Sequence, residues 1–283
     1  MKKMYSGNGK FYTPAPKRKP KRRLLPILVA VLLVLVLLAV GGAALFLRHN
    51  EAAEADFQAL AQQVQTTEAP TSADTTPTET TVPETTVPAE TLPAVLPQYQ
   101  EAYARNQEMV GWLRIDGTNV DYPVMHTPDD PEKYLHVDFD QKNSYPGTPF
   151  IDAQCSMDSQ NLLIYGHNMP NGTMFRSLFK YEQSNFWREH PVIVFDTLYE
   201  QQEYEVLAAF YDRVYYKTEN VFKFYQFIDP ETEEEFQAGI AKFKEKSLYD
   251  TGVTAEYGDQ LITLVTCAYQ TNNGRFVVVA RKK

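Results

Sequence analysis

The feature that most constrains this chain is an uncharged apolar segment near its N-terminus. Residues 24–47 contain no charged side chain and consist mostly of Leu, Val and Ala. About 20 apolar residues, each adding a rise of about 1.5 Å, cross the hydrocarbon core of a bilayer, which is about 30 Å thick. The segment therefore predicts a single transmembrane helix, so that the rest of the chain folds beside a membrane.

A cleaved signal peptide is the alternative to an anchor, and the small residues Gly42, Ala43 and Ala44 fit a cleavage site. The apolar part of a signal peptide, however, is usually only about 7–15 residues long. The segment here is longer than that, and its length favours an anchor.

Charge is distributed very unevenly along the chain. Residues 1–48 hold ten of the 27 basic side chains and no acidic one, which leaves 17 basic against 36 acidic residues in the remainder. Six of the ten lie within residues 17–23, directly before the apolar segment. The positive-inside rule then predicts a cytoplasmic tail at 1–23 and an extracellular C-terminal part. An acidic domain is a poor partner for nucleic acid.

Composition divides the extracellular part into a linker and a folded domain. Residues 51–65 are rich in Ala, Glu and Gln and predict a short helix. The residues that follow, up to Pro93, are almost entirely Thr, Pro, Glu and Ala, and such a segment cannot bury enough apolar surface to fold. We expect an extended stalk, on the order of 90 Å long in polyproline geometry. The helix and stalk thus occupy 48–95, and the folded domain occupies 96–283.

The folded domain is predicted to be mainly β, after a helix at Gln98–Gln107. Eight short strands separated by turn residues favour a barrel or a sandwich over a parallel α/β sheet, and Asp116-Gly117 marks a hairpin. The predicted strands are Trp112–Asp116, Val120–Met125, Thr148–Asp152, Leu162–Gly166, Val192–Thr197, Tyr204–Val214, Gln260–Thr266 and Phe276–Arg281.

Two further helices interrupt the strands. Met174–Tyr181 sets apolar side chains on one face. A longer helix begins at Thr232, which forms a capping box with Glu235. Its apolar residues recur at helical spacing, and this pattern is more typical of a core face than of a ligand site.

A cysteine ends one of the apolar strands. Cys267 follows Thr263–Thr266, a polar turn comes next, and Arg275 opens the following strand. Two antiparallel strands joined in this way bring Arg275 close to the sulfur. A guanidinium there stabilises negative charge on the sulfur and offers forked donors to an oxyanion. The alternative, a buried structural cysteine with an ordinary surface arginine, fits the spacing equally well.

A histidine stands at the exit of another strand. His167 follows Leu162–Gly166, where functional side chains often lie, and a histidine there can pass a proton to a leaving amine. Taken alone, His167 is better explained as a hydrogen-bonding loop residue. The other histidines have no cysteine-bearing counterpart to recommend them. No His/Cys/Asp group has the spacing of a zinc site, and we expect no metal or other cofactor.

Together these segments resemble the sortase family. Thr263–Cys267, followed by Arg275 and Val277–Ala280, resembles the sortase signature, and Tyr165–Met169 resembles the histidine motif of that family. Similarity to the class B subgroup covers roughly residues 96–283. The segments that carry it are Lys133–His136, Asp138–Asp140, Asn171–Phe175 and Ser247–Val253.

The resemblance implies an eight-stranded β-barrel with an N-terminal helix and a helical insertion, on an extracellular face behind a membrane helix. It implies a cysteine transpeptidase with His167, Cys267 and Arg275 as catalytic residues. Cleavage after Thr in a C-terminal sorting signal leaves a thioester on Cys267. An amine of a cell-wall precursor or a pilin lysine then releases the protein.

Two positions depart from the class B pattern and two more are candidate substrate contacts. Val265 and Ala268 stand where class B members often have Ser and an acidic residue, so the peptide motif is not fixed by the resemblance. Tyr225, in the insertion, and Thr266, beside the nucleophile, are the predicted substrate contacts. A core aromatic is the alternative for Tyr225.

Two other functions remain compatible with parts of the sequence. A hydrolytic cysteine protease would use the same nucleophile, and a stalked binding module would use the same anchor. The joint presence of a histidine, a cysteine and an arginine in family motifs disfavours the binding module. The second cysteine, Cys155, lies in a polar turn away from these motifs and is predicted to be a free, non-essential thiol.

Overall fold

The computed structural model describes residues 24–68 and 94–283, and the chain divides into two compact units, Met1–Leu47 and Arg48–Lys283. The predicted cytoplasmic tail and the Thr/Pro-rich part of the predicted stalk, residues 69–93, lie outside the described residues. The described part of the smaller unit belongs to helix α1 (Leu24–Glu68), which is long and apolar enough to cross a membrane. Its large apolar side chains between Leu28 and Phe46 are exposed.

The larger unit contains a closed eight-stranded barrel in the order β1-β2-β3-β4-β7-β8-β6-β5. Its strands are β1 (Met109–Arg114), β2 (Asp121–Met125), β3 (Phe150–Ile151), β4 (Asn161–Tyr165), β5 (Val192–Thr197), β6 (Glu203–Arg213), β7 (Leu261–Cys267) and β8 (Gly274–Lys282). Two neighbouring pairs, β2/β3 and β4/β7, are parallel and the others are antiparallel. The predicted eight-stranded barrel is confirmed, with each predicted strand present and its ends shifted by a few residues.

The wall formed by β7 and β8 is buried on both faces. Side chains alternate between the two faces of a strand, so Phe276 and Val278 pack in the barrel interior while Val277 and Val279 pack outside it. The outer cluster is covered by the insertion between β6 and β7, which contributes helix α4 (Glu233–Lys246). A wall buried on both sides explains why these two strands are almost continuously apolar.

Capping fixes the start of α4. The hydroxyl of Thr232 accepts a hydrogen bond from the backbone N–H of Glu235 at 3.2 Å, as the capping box predicts. The Glu235 carboxylate, however, accepts from the N–H of Glu231 at 3.0 Å and not from that of Thr232. The acidic first turn also suits the positive end of the helix dipole.

Two predicted helices differ in type or extent. The predicted helix Met174–Tyr181 is a 3₁₀ helix at Phe175–Glu182. It begins after Met174, because that residue adopts a positive φ of 53°. The predicted helix at Gln98–Gln107 is a 3₁₀ turn at Pro97–Tyr99 followed by α2 (Gln100–Arg105). Helix α3 (Ser184–Glu189) was not predicted from the sequence.

The predicted short helix at 51–65 is the C-terminal part of α1. No proline separates it from the apolar segment, so helical hydrogen bonding continues through both. Phe57, Leu60, Ala61 and Val64 recur at helical spacing and are buried in the main core. Phe57 meets Tyr122 edge to face at a centroid distance of 5.3 Å. Residues from Arg48 onward thus belong to the compact unit that holds the barrel, and the domain boundary at 96 stays a prediction.

Candidate active site

The pairing of β4 with β7 brings His167 and Cys267, the predicted nucleophile, to one edge of the barrel. The strands are parallel, and Tyr165 is opposite Val265 in their register. The Gly166 N–H donates to the Val265 carbonyl at 3.2 Å, which continues the ladder by one residue. His167 and Cys267 come two positions after the Tyr165–Val265 pair. Because the carboxyl ends of parallel strands lie at the same edge, the two residues are neighbours there.

The pairing of β7 with β8 sets Arg275 directly opposite Cys267. Opposite residues of antiparallel strands point to the same face, with Cβ atoms about 4.5–5.5 Å apart. The Ala268 N–H donates to the Gly274 carbonyl at 3.0 Å and closes the connecting loop. A Cβ at Gly274 would collide with the carbonyl oxygen of Ala268, so glycine is required at this close approach.

The Arg275 guanidinium is hydrogen-bonded to backbone carbonyl groups of its own loop. Its Nη1 donates to the Gly274 carbonyl at 2.9 Å and to that of Asn273 at 3.3 Å. Within residues 24–68 and 94–283 it forms no ion pair with a carboxylate. Its positive charge is therefore not neutralised by any described acidic group in contact with it.

Cys267 and Arg275 point to the outer face of the barrel. Val265 and Val277 precede and follow them by two residues on the same face, and both belong to the outer cluster covered by the insertion. Cys267 is half-buried, so its sulfur lies where that cover ends. Tyr165 and Tyr225 pack against the edge of the same cluster. The thiol thus lies at the border of the outer cluster, against which aromatic side chains also pack.

The His167 ring is half-buried in a stack of rings. Its centroid lies 5.4 Å from that of His136 and 6.0 Å from that of Tyr145, and both pairs are nearly parallel. Its Nε2 donates to the Leu135 carbonyl at 2.9 Å, since a carbonyl oxygen can only accept. Burial lowers the pKa of His167, positive charge on His136 lowers it further, and the Leu135 carbonyl opposes both effects. The neutral ring is therefore favoured.

Asn168 joins the segments that carry His167 and Cys267, and this role was not predicted from the sequence. Its Nδ2 donates to the carbonyl of Cys267 at 2.7 Å, and its Oδ1 accepts from Arg176 Nη1 at 3.2 Å. The side chain is 7% exposed. The only sequence signal was its position directly after His167 in the histidine motif. Asn168 fixes the backbone of the nucleophile to the strand exit that carries the histidine.

The two predicted substrate contacts lie in different environments. Tyr225 is half-buried, and its hydroxyl accepts from the Tyr215 N–H at 3.1 Å while lying 3.3 Å from the Tyr215 carbonyl. Thr266 is 2% exposed and donates its hydroxyl to the Gly166 carbonyl at 2.8 Å. Tyr225 packs against the outer cluster, whereas the Thr266 side chain connects β7 to β4. Substrate contact by either residue stays a prediction.

Cys155 is a free thiol, as predicted, and it is buried. Its Sγ lies 3.6 Å from the Asn161 carbonyl. No disulfide links Cys155 to Cys267, which is also a free thiol.

The comparisons with known proteins agree with this geometry. The family model of the sortase domain matches residues 113–283. The chain belongs to the sortase family. It is 30% identical over 191 residues to sortase B of Staphylococcus aureus (strain NCTC 8325 / PS 47), a match that covers 66% of this chain and 75% of that protein.

Solved structures support the same subgroup. The structure of a Staphylococcus aureus sortase B–substrate complex superposes with a TM-score of 0.67 at 25% identity, covering 83% of this chain and 98% of that one. A sortase B complexed with triglycine gives a TM-score of 0.66 at 26% identity, covering 82% and 98%. The protein is thus a class B sortase, a member of a family of cysteine transpeptidases that anchor proteins to the cell wall.

Proposed function

We propose that this sortase cleaves a C-terminal sorting signal after a threonine and transfers the new carboxyl end to an amine. Cys267 is the nucleophile, His167 moves the proton and Arg275 stabilises the oxyanion. The pairing of Cys267 with Arg275, at the edge where His167 follows β4, carries this proposal.

In the first half-reaction the Cys267 thiolate attacks the threonine carbonyl carbon and a C–S bond forms. The negative charge that develops on the carbonyl oxygen is stabilised by N–H donors of Arg275. The imidazolium of His167 then gives its proton to the departing nitrogen, the C–N bond breaks and a thioester remains. Because burial lowers the pKa of His167, its charged ring is a stronger acid for this step.

In the second half-reaction a neutral amine attacks the thioester carbon. A C–N bond forms, one N–H proton passes to the neutral His167 ring, and the C–S bond breaks to release the Cys267 thiolate. The enzyme returns to its starting protonation state. The lowered pKa of His167 supports a neutral ring that is ready to accept this proton.

The outer face of the barrel beside the insertion is the proposed surface for the sorting signal. Aromatic rings of Tyr165 and Tyr225 at its border offer apolar surface to the residues before the threonine. Thr266 contributes by holding β7 in register with β4, and any contact it makes with the peptide comes through its backbone.

The acceptor is an amine of a cell-wall precursor or a pilin lysine. The triglycine in the related sortase B structure is a peptide with a primary amine, which supports acceptors of this class. We further propose a single-pass anchor with a cytoplasmic N-terminus and an extracellular catalytic unit. The apolar part of α1 and the basic residues before it support this orientation.

The test is a transfer assay with the full-length protein in detergent micelles. A peptide pool randomised around one Thr–Xaa bond is added with and without triglycine, and products and protein adducts are measured by mass spectrometry. We expect a thioester adduct on Cys267 and a triglycine-linked product, with neither in Cys267→Ala. Cleavage that ignores added amine would instead favour a hydrolytic protease.

A further inference from the structure

A polar cavity of 430 Å³ lies at the β7–β8 loop, next to the backbone that follows Cys267. Asn168, whose amide holds the Cys267 carbonyl, forms one wall of it. Tyr269 and Gln270, which follow Cys267 in the β7–β8 loop, form another. The cavity is therefore built from the residues that position the nucleophile, but the mechanism above gives it no role.

The carboxylate of Glu182 lines the cavity and has no counter-ion among the described residues. Glu182 is half-buried, accepts a hydrogen bond from the Tyr211 hydroxyl, and forms no ion pair with any residue in the part of the chain that the structure describes. Burial, together with the hydrogen bond and the negative charge of Glu182, raises the pKa of Tyr211 to about 12. Tyr211 thus remains a donor to one carboxylate oxygen, and the other is left for a cation.

The nearby arginine is already engaged elsewhere. Arg176 donates to Asn168, and its guanidinium carbon lies 5.2 Å from the centroid of the Phe179 ring. Although Arg176 and Glu182 both line the cavity, they are too far apart to form an ion pair. The half-buried Glu182 carboxylate and the exposed Arg176 guanidinium do not neutralise each other, and such a pair suits a ligand with a cation at one end and a carbonyl or carboxylate nearby.

We propose that this cavity binds the incoming acceptor as a peptide ammonium group, with Glu182 as its counter-ion and Arg176 facing the acceptor's first carbonyl or carboxylate. The inference rests on the proposed transfer function and names the site that this function requires. Tyr269, which lies on the loop and is 79% exposed, offers its ring to the ammonium group as a cation–π partner.

Binding and attack are separate steps at this site. The ammonium binds at Glu182 and releases one proton to solvent. The resulting amine then attacks the thioester on Cys267 with the bond and proton changes given above. Glu182 acts as a binding residue for the acceptor and takes no part in forming the acyl-enzyme.

The test compares how the acyl-enzyme of full-length wild type and of Glu182→Gln divides between triglycine and water. The variant should form the Cys267 thioester at the wild-type rate. Its ratio of transfer to hydrolysis with triglycine should fall about tenfold or more, since a hydrogen bond to a charged group is lost. Hydroxylamine, which is uncharged at neutral pH, should be transferred equally well by both enzymes. Glu54→Gln is the matched control, because Glu54 also contacts a tyrosine hydroxyl, at 3.3 Å, outside the cavity.

A second variant keeps the inference testable if Glu182→Gln does not fold. Tyr269→Ala removes an exposed ring and should raise the triglycine concentration needed for half-maximal transfer several-fold, without slowing acylation. Normal triglycine transfer in whichever of these variants folds would overturn the inference while leaving the transfer function intact. Absence of any thioester in wild type would instead overturn the transfer function itself, and with it the inference.

Discussion

The surroundings of Cys155 and Cys267 differ in local charge and in solvent access more than in the presence of a nearby histidine. Each thiol has a histidine close to it. Burial lowers the pKa of His126 and the backbone of Asp152 and Cys155 opposes this effect, which places the ring near Cys155, and His167 follows β4 at the edge where β7 ends in Cys267. Burial is the first cause that lowers the pKa of both histidines. A cysteine next to a histidine is therefore insufficient to define a nucleophile.

The two thiols differ in the charges that face them. Cys155 is 4% exposed, and burial, opposed by a backbone hydrogen bond and reinforced by the carboxylates of Asp152 and Asp229, raises its pKa to about 11. Cys267 is half-buried and lies opposite the Arg275 guanidinium, which forms no ion pair with any described carboxylate. The sign of the neighbouring charge, together with solvent access, therefore distinguishes Cys155 from the predicted nucleophile Cys267.

The largest expected effect comes from removing the accessible thiol. Cys267→Ala should abolish transfer, because the residue that forms the thioester is gone. Cys267→Ser should be nearly inactive, since Arg275 cannot ionise a hydroxyl at neutral pH. Transfer rates of the purified full-length variants provide the measurement. Substantial turnover by the alanine variant, with Cys155 still present, would show that the two thiols had been assigned the wrong way round.

The second effect tests whether charge alone distinguishes the two sites. Arg275→Ala should slow transfer by roughly 10²–10³, the usual cost of losing an oxyanion donor. Arg275→Lys should be almost as slow, because it keeps the charge and loses the planar fork. Thermal unfolding is measured alongside the rates. A near-normal Lys variant would reduce the role of Arg275 to charge, and an unfolded Ala variant would make that role structural.

A smaller effect concerns the ring beside His167. His136→Asn removes a positive charge that lowers the pKa of His167, and it opens one side of the ring to water, so both changes raise that pKa. The limb of the pH–rate profile that reports His167 should move to higher pH. Tyr145→Phe keeps a stacked ring and changes no charge, so its profile should match wild type. A shift of the His136 variant to lower pH would contradict the geometry.

The smallest effect on activity is expected at the buried thiol. Cys155→Ala should leave transfer unchanged and lower the free energy of unfolding by about 1 kcal/mol, because a small buried group is lost. Urea denaturation and transfer rate, measured together, give the opposite pattern to Cys267→Ala. Loss of activity at unchanged stability in Cys155→Ala would remove the distinction between the thiols.

Sequence reasoning succeeded where short-range pattern decides structure. The apolar runs around the polar turn from Ala268 to Asn273 fix the hairpin, so the pairing of Cys267 with Arg275 followed from spacing. His167 was different. Its strand was visible, but its partnership with Cys267 came from family resemblance, since a parallel pair between distant strands leaves no local signal.

Other parts of the site depend on tertiary contacts alone. The roles of Asn168, Glu182 and Tyr211 arise from contacts between elements that the chain pattern does not relate. The docking of Phe57 and its neighbours was a different kind of omission. Their helical stripe was present in the sequence, but the Thr/Pro-rich segment that follows favoured treating this helix as part of a linker.

The parallel pairing of β4 with β7 also has a consequence for folding. Asn168 and Cys267 are 99 residues apart and touch in the finished barrel, so this contact closes a long loop and raises the contact order. Cys267 and Arg275 belong to the last two strands of the barrel in chain order. A chain that lacks these strands would carry the histidine without its thiol, so we expect transfer only from a closed barrel.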